Sequence, residues 1–350
     1  MSVALGFVLG SFVMVAVASV MAVGIWSGYS NTVELLRQKA QVLVSAAEAQ
    51  TVQYLEAAEQ QATFVADMVS AGDVEPGMSE AFTNLLFGAL AAAPQIVAIL
   101  YDDADYNLVG AERDGTGVNP LFLKAANDDG IVGAVRAARA TTGGKWDGVV
   151  WREEYQQALL RFRHTVRVDG GFAGAVIALI SARSLSEFIS ELDAEFGNNA
   201  FVLYGVDEVL AHPTMAFDYP GLTALNPLPR VATFGDPVLS SLWDGGARAN
   251  LESGLFGGSD GHAVALGEEV YAFLYRELPG YGDRPLLIGT YFRSSDLFSE
   301  VLRLKWAVIA CLGILLASVV TAAATGHRIA TPVRRLAEGA KRVHALDLDN

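Results

Sequence analysis

The sequence predicts an α+β chain: a long N-terminal helix, then two tandem antiparallel-sheet modules, flanked by two membrane-spanning helices. Three observations point there. Residues 1–33 and 306–326 carry no side-chain charge, and each run exceeds the ~20 apolar residues that cross a bilayer as a helix. Residues 34–68 contain neither Pro nor Gly. From about residue 95 onward, short apolar runs alternate with turns rich in Gly, Asp and Pro. Over 350 residues the hydrophobic fraction is 52% and the mean hydropathy +0.33. That is too apolar for an ordinary soluble domain and too polar for a polytopic channel.

The first span is placed at 3–26. It lacks the basic flank of a cleaved signal peptide and its apolar core is longer than the usual ~7–15 residues. A small-residue site near Ala16 keeps cleavage open as an alternative. The second span is placed at 306–326. Arg328, Arg334, Arg335, Lys341 and Arg342 follow it, against Arg303 and Lys305 before it. Basic flanks favour the cytoplasmic side, so both termini are expected in the cytoplasm, with residues ~27–305 on the far side of the membrane. Charge divides the same way. Residues 327–350 hold five basic and three acidic side chains, leaving 19 basic and 36 acidic in the rest. An ectodomain so acidic argues against nucleic acid as a partner. The single cysteine, Cys311, excludes a disulfide framework.

Residues 27–72 read as a helix emerging from the membrane, with Leu36, Ala40, Leu43, Ala47, Tyr54, Ala57, Phe64 and Met68 on one heptad seam. The seam suits packing on the helix's own domain or pairing in a homodimer. "SAGDVEPG" ends it. "QIVAILY", "DDADYN" and "LVGAER" read as strand, turn and strand. Asp103, Asp105 and Asn107 have calcium-loop spacing, but Leu108 stands where that loop needs Gly. In "LLRFRHTVRV", Leu160, Phe162, His164, Val166 and Val168 alternate with Arg161, Arg163, Thr165 and Arg167, a strand with one buried face. Asp169-Gly170-Gly171 turns the chain into "GFAGAVIALIS", and "SLSEFISEL" opens a helix with Ser184 or Ser186 as its cap. "NAFVLY", "VLAHP", "GHAVALGEEVYAFLYREL" and "RPLLIGTYF" repeat the strand pattern, with a short helix in "GDPVLSSLW". Two modules follow, 75–190 and 195–303.

This order resembles the double Cache (tandem PAS-like) sensor ectodomains of bacterial receptors. The likeness covers about residues 30–300, through "QIVAILYDDADYNLVGAER", "GFAGAVIALISARSLSEFI" and "AFVLYGVDEVLAHP". It implies a membrane-distal module at 75–190, a membrane-proximal one at 195–303, and a small-molecule or periplasmic-protein ligand bound over the distal sheet. In "KWDGVVWREEYQQALLRFR", Trp146, Trp151 and Tyr155 are then candidates to wall the ligand. Arg152, Arg161 and Arg163 are candidates to meet an anion, since a guanidinium fork matches a carboxylate. Leu179 stands where amino-acid-binding members carry a carboxylate, so recognition of an ammonium group is not expected from that position.

The 327–350 segment carries an apolar stripe of Ile329, Val333, Leu336, Ala340, Val343 and Leu346. It resembles the first helix of a HAMP domain, a dimeric four-helix signalling bundle. Pro332, Leu336, Ala340 and Val343 match its pattern, Asp347-Leu348 matches its closing acidic–apolar pair, and Leu346 replaces the usual Gly. The resemblance gives Pro332, Leu336, Val343 and Asp347 signal-transmission roles and implies a longer protein. "RRLAEGAKRVHALDLD" and "FGDPVLSSLW" are similar to the corresponding regions of membrane-bound class III adenylate cyclases. A histidine kinase, chemoreceptor or diguanylate cyclase output stays open. No catalytic residue and no cofactor is expected in this chain: it has no P-loop, no H-E-x-x-H, no G-x-S-x-G and no dinucleotide fingerprint. An ectodomain hydrolase is the reading from another class.

Overall fold

A computed structural model describes residues 2–293, apart from 115–116, 125, 197–198, 218, 246–247 and 251–259, and scattered helical residues between 309 and 332. It divides into two units, residues 1–38 with 295–350 and residues 39–294. In the first unit the described residues are helical. Among the described residues no helix is long and apolar enough to cross a membrane. Many side chains of the first uncharged run, and most of the second run, lie outside them. Of the expected HAMP helix, only Arg328 and Pro332 are described, both helical; Leu336, Val343 and Asp347 lie outside the described residues.

Helix α1 (Ser2–Ser70) is a single unbroken helix, and from Glu34 to Met68 it has no Pro or Gly to interrupt it. Its buried stripe is Val44, Thr51, Leu55, Ala58, Ala62, Val65 and Val69, not the expected heptad seam. Phe64 of that seam is 49% exposed, while Ala47 and Tyr54 are only partly buried. The buried stripe keeps the seven-residue spacing but lies one residue further along the chain than the expected seam, about 100° around the helix, with Ala66 buried beside it. Helix α2 (Glu80–Ala92) is capped by the Ser79 hydroxyl, which accepts from the Phe82 N–H at 3.2 Å.

The first sheet has six antiparallel strands in the order β3-β2-β1-β6-β5-β4. These are β1 (Ile96–Asp103), β2 (Asn107–Asp114), β3 (Gly117–Lys124), β4 (Gly144–Arg152), β5 (Gln157–Val168) and β6 (Gly171–Ser181), with α3 (Asp129–Arg139) inserted between β3 and β4. The β1–β2 turn is built by Asp103. One of its oxygens accepts from the Asp105 and Asn107 N–H groups at 2.8 and 2.9 Å, the other from the Asn107 amide at 2.7 Å. The β5–β6 turn has Asp169 and Gly170 both at positive φ, 52° and 81°, the primed geometry that suits strand twist. The helix after β6, α4 (Ala182–Phe196), starts at the residue following the strand. Its cap is Ser181, whose hydroxyl accepts from the Ser184 N–H at 2.8 Å. Ser186, expected as a cap, instead donates to the Ala182 carbonyl at 2.7 Å.

The second sheet comprises β7 (Asn199–Tyr204), β8 (Glu208–Ala211), β9 (Arg248–Asn250), β10 (Asp260–Leu266), β11 (Glu269–Leu278) and β12 (Leu286–Arg293), in the order β8-β7-β12-β11-β10-β9. In both sheets the last strand returns to pair with the first (β6 on β1, β12 on β7). The short helix α5 (Pro237–Ser240) lies between β8 and β9 and is capped by Asp236. One apolar core runs from α1 and α2 across one face of the first sheet and through α4 to Ala200, Val202, Leu210 and Ile288 of the second.

Candidate functional site

The two faces of the first sheet are packed differently. Leu160, Phe162 and Ala158 of β5 join the α1–α2 core. The opposite face, under α3, holds Ala98, Leu100, Leu108, Leu159, Ile177 and Leu179 against Ile131, Ala134 and Val135 of the helix. Charged groups share this second face. Cross-strand pairing sets Arg161 beside Leu179, Arg163 beside Ile177, and Asp102 beside Leu108 and Ala175.

The expected site residues divide between these faces. Asp147 forms a bulge in β4, between the Trp146–Phe162 and Gly148–Arg161 pairs. An extra residue resets side-chain alternation, so Trp146, Val149 and Trp151 pair with Phe162, Leu160 and Ala158 on the face away from α3. Trp146 meets Phe162 edge-on and Tyr281 at a tilt, at 5.2 and 5.3 Å between ring centroids. Trp151 instead lines a cleft of about 330 Å³ between the modules with Gln156, Gln157, Arg183, Met215 and Tyr219. The structure brings together only Arg152, Tyr155, Arg161 and Arg163 on the α3 side.

There the charges are interlocked. Arg163 is 2% exposed and meets both oxygens of Asp147, at 2.9 and 3.0 Å. The Arg161 Nε lies 3.3 Å from Asp147 without forming a hydrogen bond, and burial holds the Arg161 guanidinium below its usual pKa. Arg152 donates to Asp128 at 2.7 Å. Asp128 also caps α3, accepting from the Ile131 N–H at 3.0 Å. Burial would raise the Asp128 carboxyl, but the cap N–H and Arg152 together hold it below the usual carboxylate range. Tyr155 donates to Glu112 at 2.6 Å. Asp102 differs from all of these: it is fully buried and neither carboxylate oxygen has a partner. Burial pushes its carboxyl up to about 7, with Arg152 and Arg161 pulling only partly against that rise.

The corresponding region of the second module is filled. Phe201, Phe234, Phe273, Tyr275 and Tyr291 pack there with Leu203 and Leu242. His262 is buried, its Nε2 2.6 Å from the Leu242 carbonyl. His212 Nδ1 lies 2.9 Å from the Thr214 hydroxyl, and Tyr291 donates to Asp236 at 2.7 Å. Among the described residues no group of three or more His, Cys, Asp or Glu is placed to hold a metal ion.

The sensory domain of a Campylobacter jejuni chemoreceptor is similar to this chain, with a TM-score of 0.53 at 10% identity, over 79% of this chain and 98% of that one. The ligand-binding domain of the same chemoreceptor in complex with 4-methylisoleucine gives 0.52 at 9%, over 76% and 94%. The extracellular domain assigned to the histidine kinase vpHK1S-Z8 gives 0.53 at 12%, over 78% and 96%. The fold is that of a Cache-type sensory domain. No protein-family model and no curated protein matches the chain. The likeness is one of architecture: at these identities it fixes the two sheets and the long helix, and the site must be argued from this chain's own side chains.

Arg152, Arg161 and Arg163 came from the likeness to sensor ectodomains; the alternation of β5 gave that strand one buried face, whereas α3 covers the other and buries Arg163 as well. Sequence reasoning missed Asp147, Asp128, Glu112 and Asp102, their partners or neighbours. The signal for Asp102 lay in "YDDADYN", where the first Asp continues the alternation of Ala98 and Leu100 and the second opens the turn.

Proposed function

We propose that this chain is the sensing and membrane-crossing part of a bacterial receptor, with a ligand bound between the distal sheet and α3. The observation that carries this reading is the layer beneath α3, where Asp102 and Arg163 are buried among apolar side chains and Arg152, Arg161, Glu112, Asp128 and Asp147 stand half-buried beside them. The corresponding layer of the second module is largely aromatic and aliphatic, with His212, His262 and Asp236 among its polar members. Buried ion pairs are weak contributors to stability, and convergent polar groups in an apolar enclosure mark ligand sites.

The remainder of the proposal follows the chain. The uncharged runs 1–33 and 306–326 are long enough to anchor it in the inner membrane, with the modules periplasmic and both ends cytoplasmic. A homodimer is supported by Val42 and Phe64, which stand 66% and 49% exposed on α1. The 327–350 segment would pass the signal through a HAMP bundle, and its resemblance favours a class III adenylate cyclase as the output. The chemoreceptor and histidine kinase likenesses support those outputs as alternatives. Ligand binding can shift the receptor only through unequal affinity for two arrangements.

The test is a thermal-stability screen of the full chain in detergent against small organic anions, amines and amino acids. A ligand that raises Tm for the wild type and fails to do so for Arg161→Ala supports the site. Equal shifts in both proteins place binding elsewhere. Reporter fusions at residues 100 and 345 should report opposite compartments; the same compartment for both rejects the receptor reading.

A further inference from the structure

Three consecutive residues of β4 meet three different surroundings. Trp146 touches Tyr281 of the β11–β12 loop, at 5.3 Å between ring centroids. Asp147 is the one residue of β4 without a pairing partner in β5. It is held by Arg163 at 2.9 and 3.0 Å, with the Arg161 Nε at 3.3 Å. Gly148, at φ +85°, lies against the same β11–β12 loop: a Cβ on Gly282 would stand 2.6 Å from the Gly148 Cα. The unpaired residue is thus tied to the arginines beneath α3, and both of its neighbours touch the second module. A bulged residue has no ladder bonds to fix it, so its side chain sets its place. Here that anchor is Arg163, which also donates to the Thr141 hydroxyl at 3.0 Å. The other side has no slack. Gly148 approaches Gly282 backbone to backbone, and Tyr204 beside them is bonded to Asp283 and covered by Arg284 at 4.7 Å. The loop leads straight into β12 at Leu286, and its Pro285 carbonyl accepts from the Gly205 N–H at 2.8 Å.

We propose that the β4 bulge is a coupling device: the Asp147–Arg163 pair holds it in place, and release of that pair shifts Trp146 and Gly148 against the β11–β12 loop at the head of β12. This rests on the ligand-sensing reading above and names the route by which a change beneath α3 reaches the second sheet. The device has two arrangements, with the Asp147 carboxylate gripped by Arg163 or let go. Anything that takes donors from Arg163 leaves that carboxylate uncompensated, and a half-buried charge without its partner is driven towards water. The move disturbs little else in the first sheet, because Asp147 has no ladder partner to lose. Gly143 and Gly148, at φ +72° and +85°, give the backbone on either side room to follow. What does feel it is the second module, through Tyr281 and Gly282. A bistable element biased from both ends is what coupling between distant sites requires. By linkage the effect is reciprocal, so disturbing Tyr281 must loosen the hold on Asp147.

Amide hydrogen exchange of the full chain in detergent reads this coupling without any ligand. Asp147→Asn keeps the side-chain shape and removes its charge. It should speed exchange at Gly205 and over Leu286–Ile288 by about tenfold, while the β1–β2 pairing keeps its wild-type protection. Asp128→Asn breaks a different arginine pair on the same face, Arg152–Asp128, and should leave the second-module amides within about twofold of wild type. No change in Asp147→Asn, or the same change in both variants, overturns the proposal. Should Asp147→Asn loosen the whole chain, Tyr281→Ala decides from the other side. Faster exchange concentrated at Lys145–Val149 supports the device; exchange there that is unchanged, or raised no more than elsewhere, overturns it. These outcomes leave the sensing reading untouched, since ligand binding is tested separately by the Arg161→Ala screen.

Discussion

Arg163 shows how much a single side chain contributes beneath α3. Its guanidinium is held by both oxygens of Asp147 and by the Thr141 hydroxyl, to which it donates at 3.0 Å. Removing one member of a buried pair leaves the other charge uncompensated, at a cost of about 3–5 kcal/mol. Arg163→Ala should therefore lower the urea midpoint by an amount equivalent to about 3 kcal/mol, because Arg161 still lies near Asp147. A loss under about 1 kcal/mol would mean that water or Arg161 takes over the role. His212 supplies a second test at this scale. Burial holds its imidazole down from 6.5 to about 4, against the pull of Asp236. The unfolded chain then takes up a proton that the folded chain refuses. Stability from this residue is whole above pH 6.5 and declines as pH falls from 6.5 towards 4, by roughly 3 kcal/mol in full. His212→Gln should flatten that portion of a stability–pH curve; an unchanged slope would assign it to other groups.

At the scale of elements, the joint between the modules is made by glycine. Gly148 in β4 has φ +85° and Gly282 in the β11–β12 loop has φ +134°. A Cβ on Gly282 would lie 2.6 Å from the Gly148 Cα, and one on Gly148 would run into the Tyr204 hydroxyl. Tyr204 itself bonds Asp283, and Arg284 sits over the Tyr204 ring at 4.7 Å. Gly282→Ala combines a strained φ with an overpacked contact, each costing on the order of 1–3 kcal/mol. Its unfolding midpoint should drop by an amount equivalent to about 2 kcal/mol, while Gly280→Ala, with open space around its Cβ position, should lose less. The neighbouring elements also show what could be read from residues alone. The β1–β2 and β5–β6 hairpins were legible because alternation and Asp/Gly turn chemistry coincide there. Helices α2 and α3 were not, although "SAGDVEPG" precedes the first and "NDDG" opens the second, because "EAFTNLLFGALAA" and "DGIVGAVRAAR" mix apolar and small residues so closely that their helical period does not stand out. The bulge at Asp147 was equally hidden. It separates the tryptophans from the arginines, a fact that counting along β4 cannot supply.

For the whole molecule, the continuous core from α1 to Ile288 means the two sheets share one apolar interior within residues 39–294. Leu55, Ala62 and Val65 of α1 are buried in the same cluster as Ala200, Val202 and Leu210. Arg276 of the second sheet is ion-paired with Glu48 of α1. The two modules should therefore unfold in a single cooperative transition, seen as coincident curves by circular dichroism and tryptophan fluorescence. Two separated transitions would show that the shared core contributes little. The two-sheet plan was readable because each module repeats the same strand grammar. The position of the site was not, because it depends on which face α3 covers.

Strand β6 passes into α4 with no intervening residue: Ser181 ends one and Ala182 begins the other. From there Phe188 stacks on Tyr54 of α1 at 4.4 Å, and the Ser186 hydroxyl accepts from the His212 N–H at 3.3 Å. A tilt of the first sheet cannot be absorbed by slack at this point; it must appear as a turn of the rod that leads into the second module. One residue inserted between 181 and 182 would swing that rod by about 100°. Both anchoring contacts would be lost together, and the first sheet would no longer be tied through α4 to α1 and the second sheet.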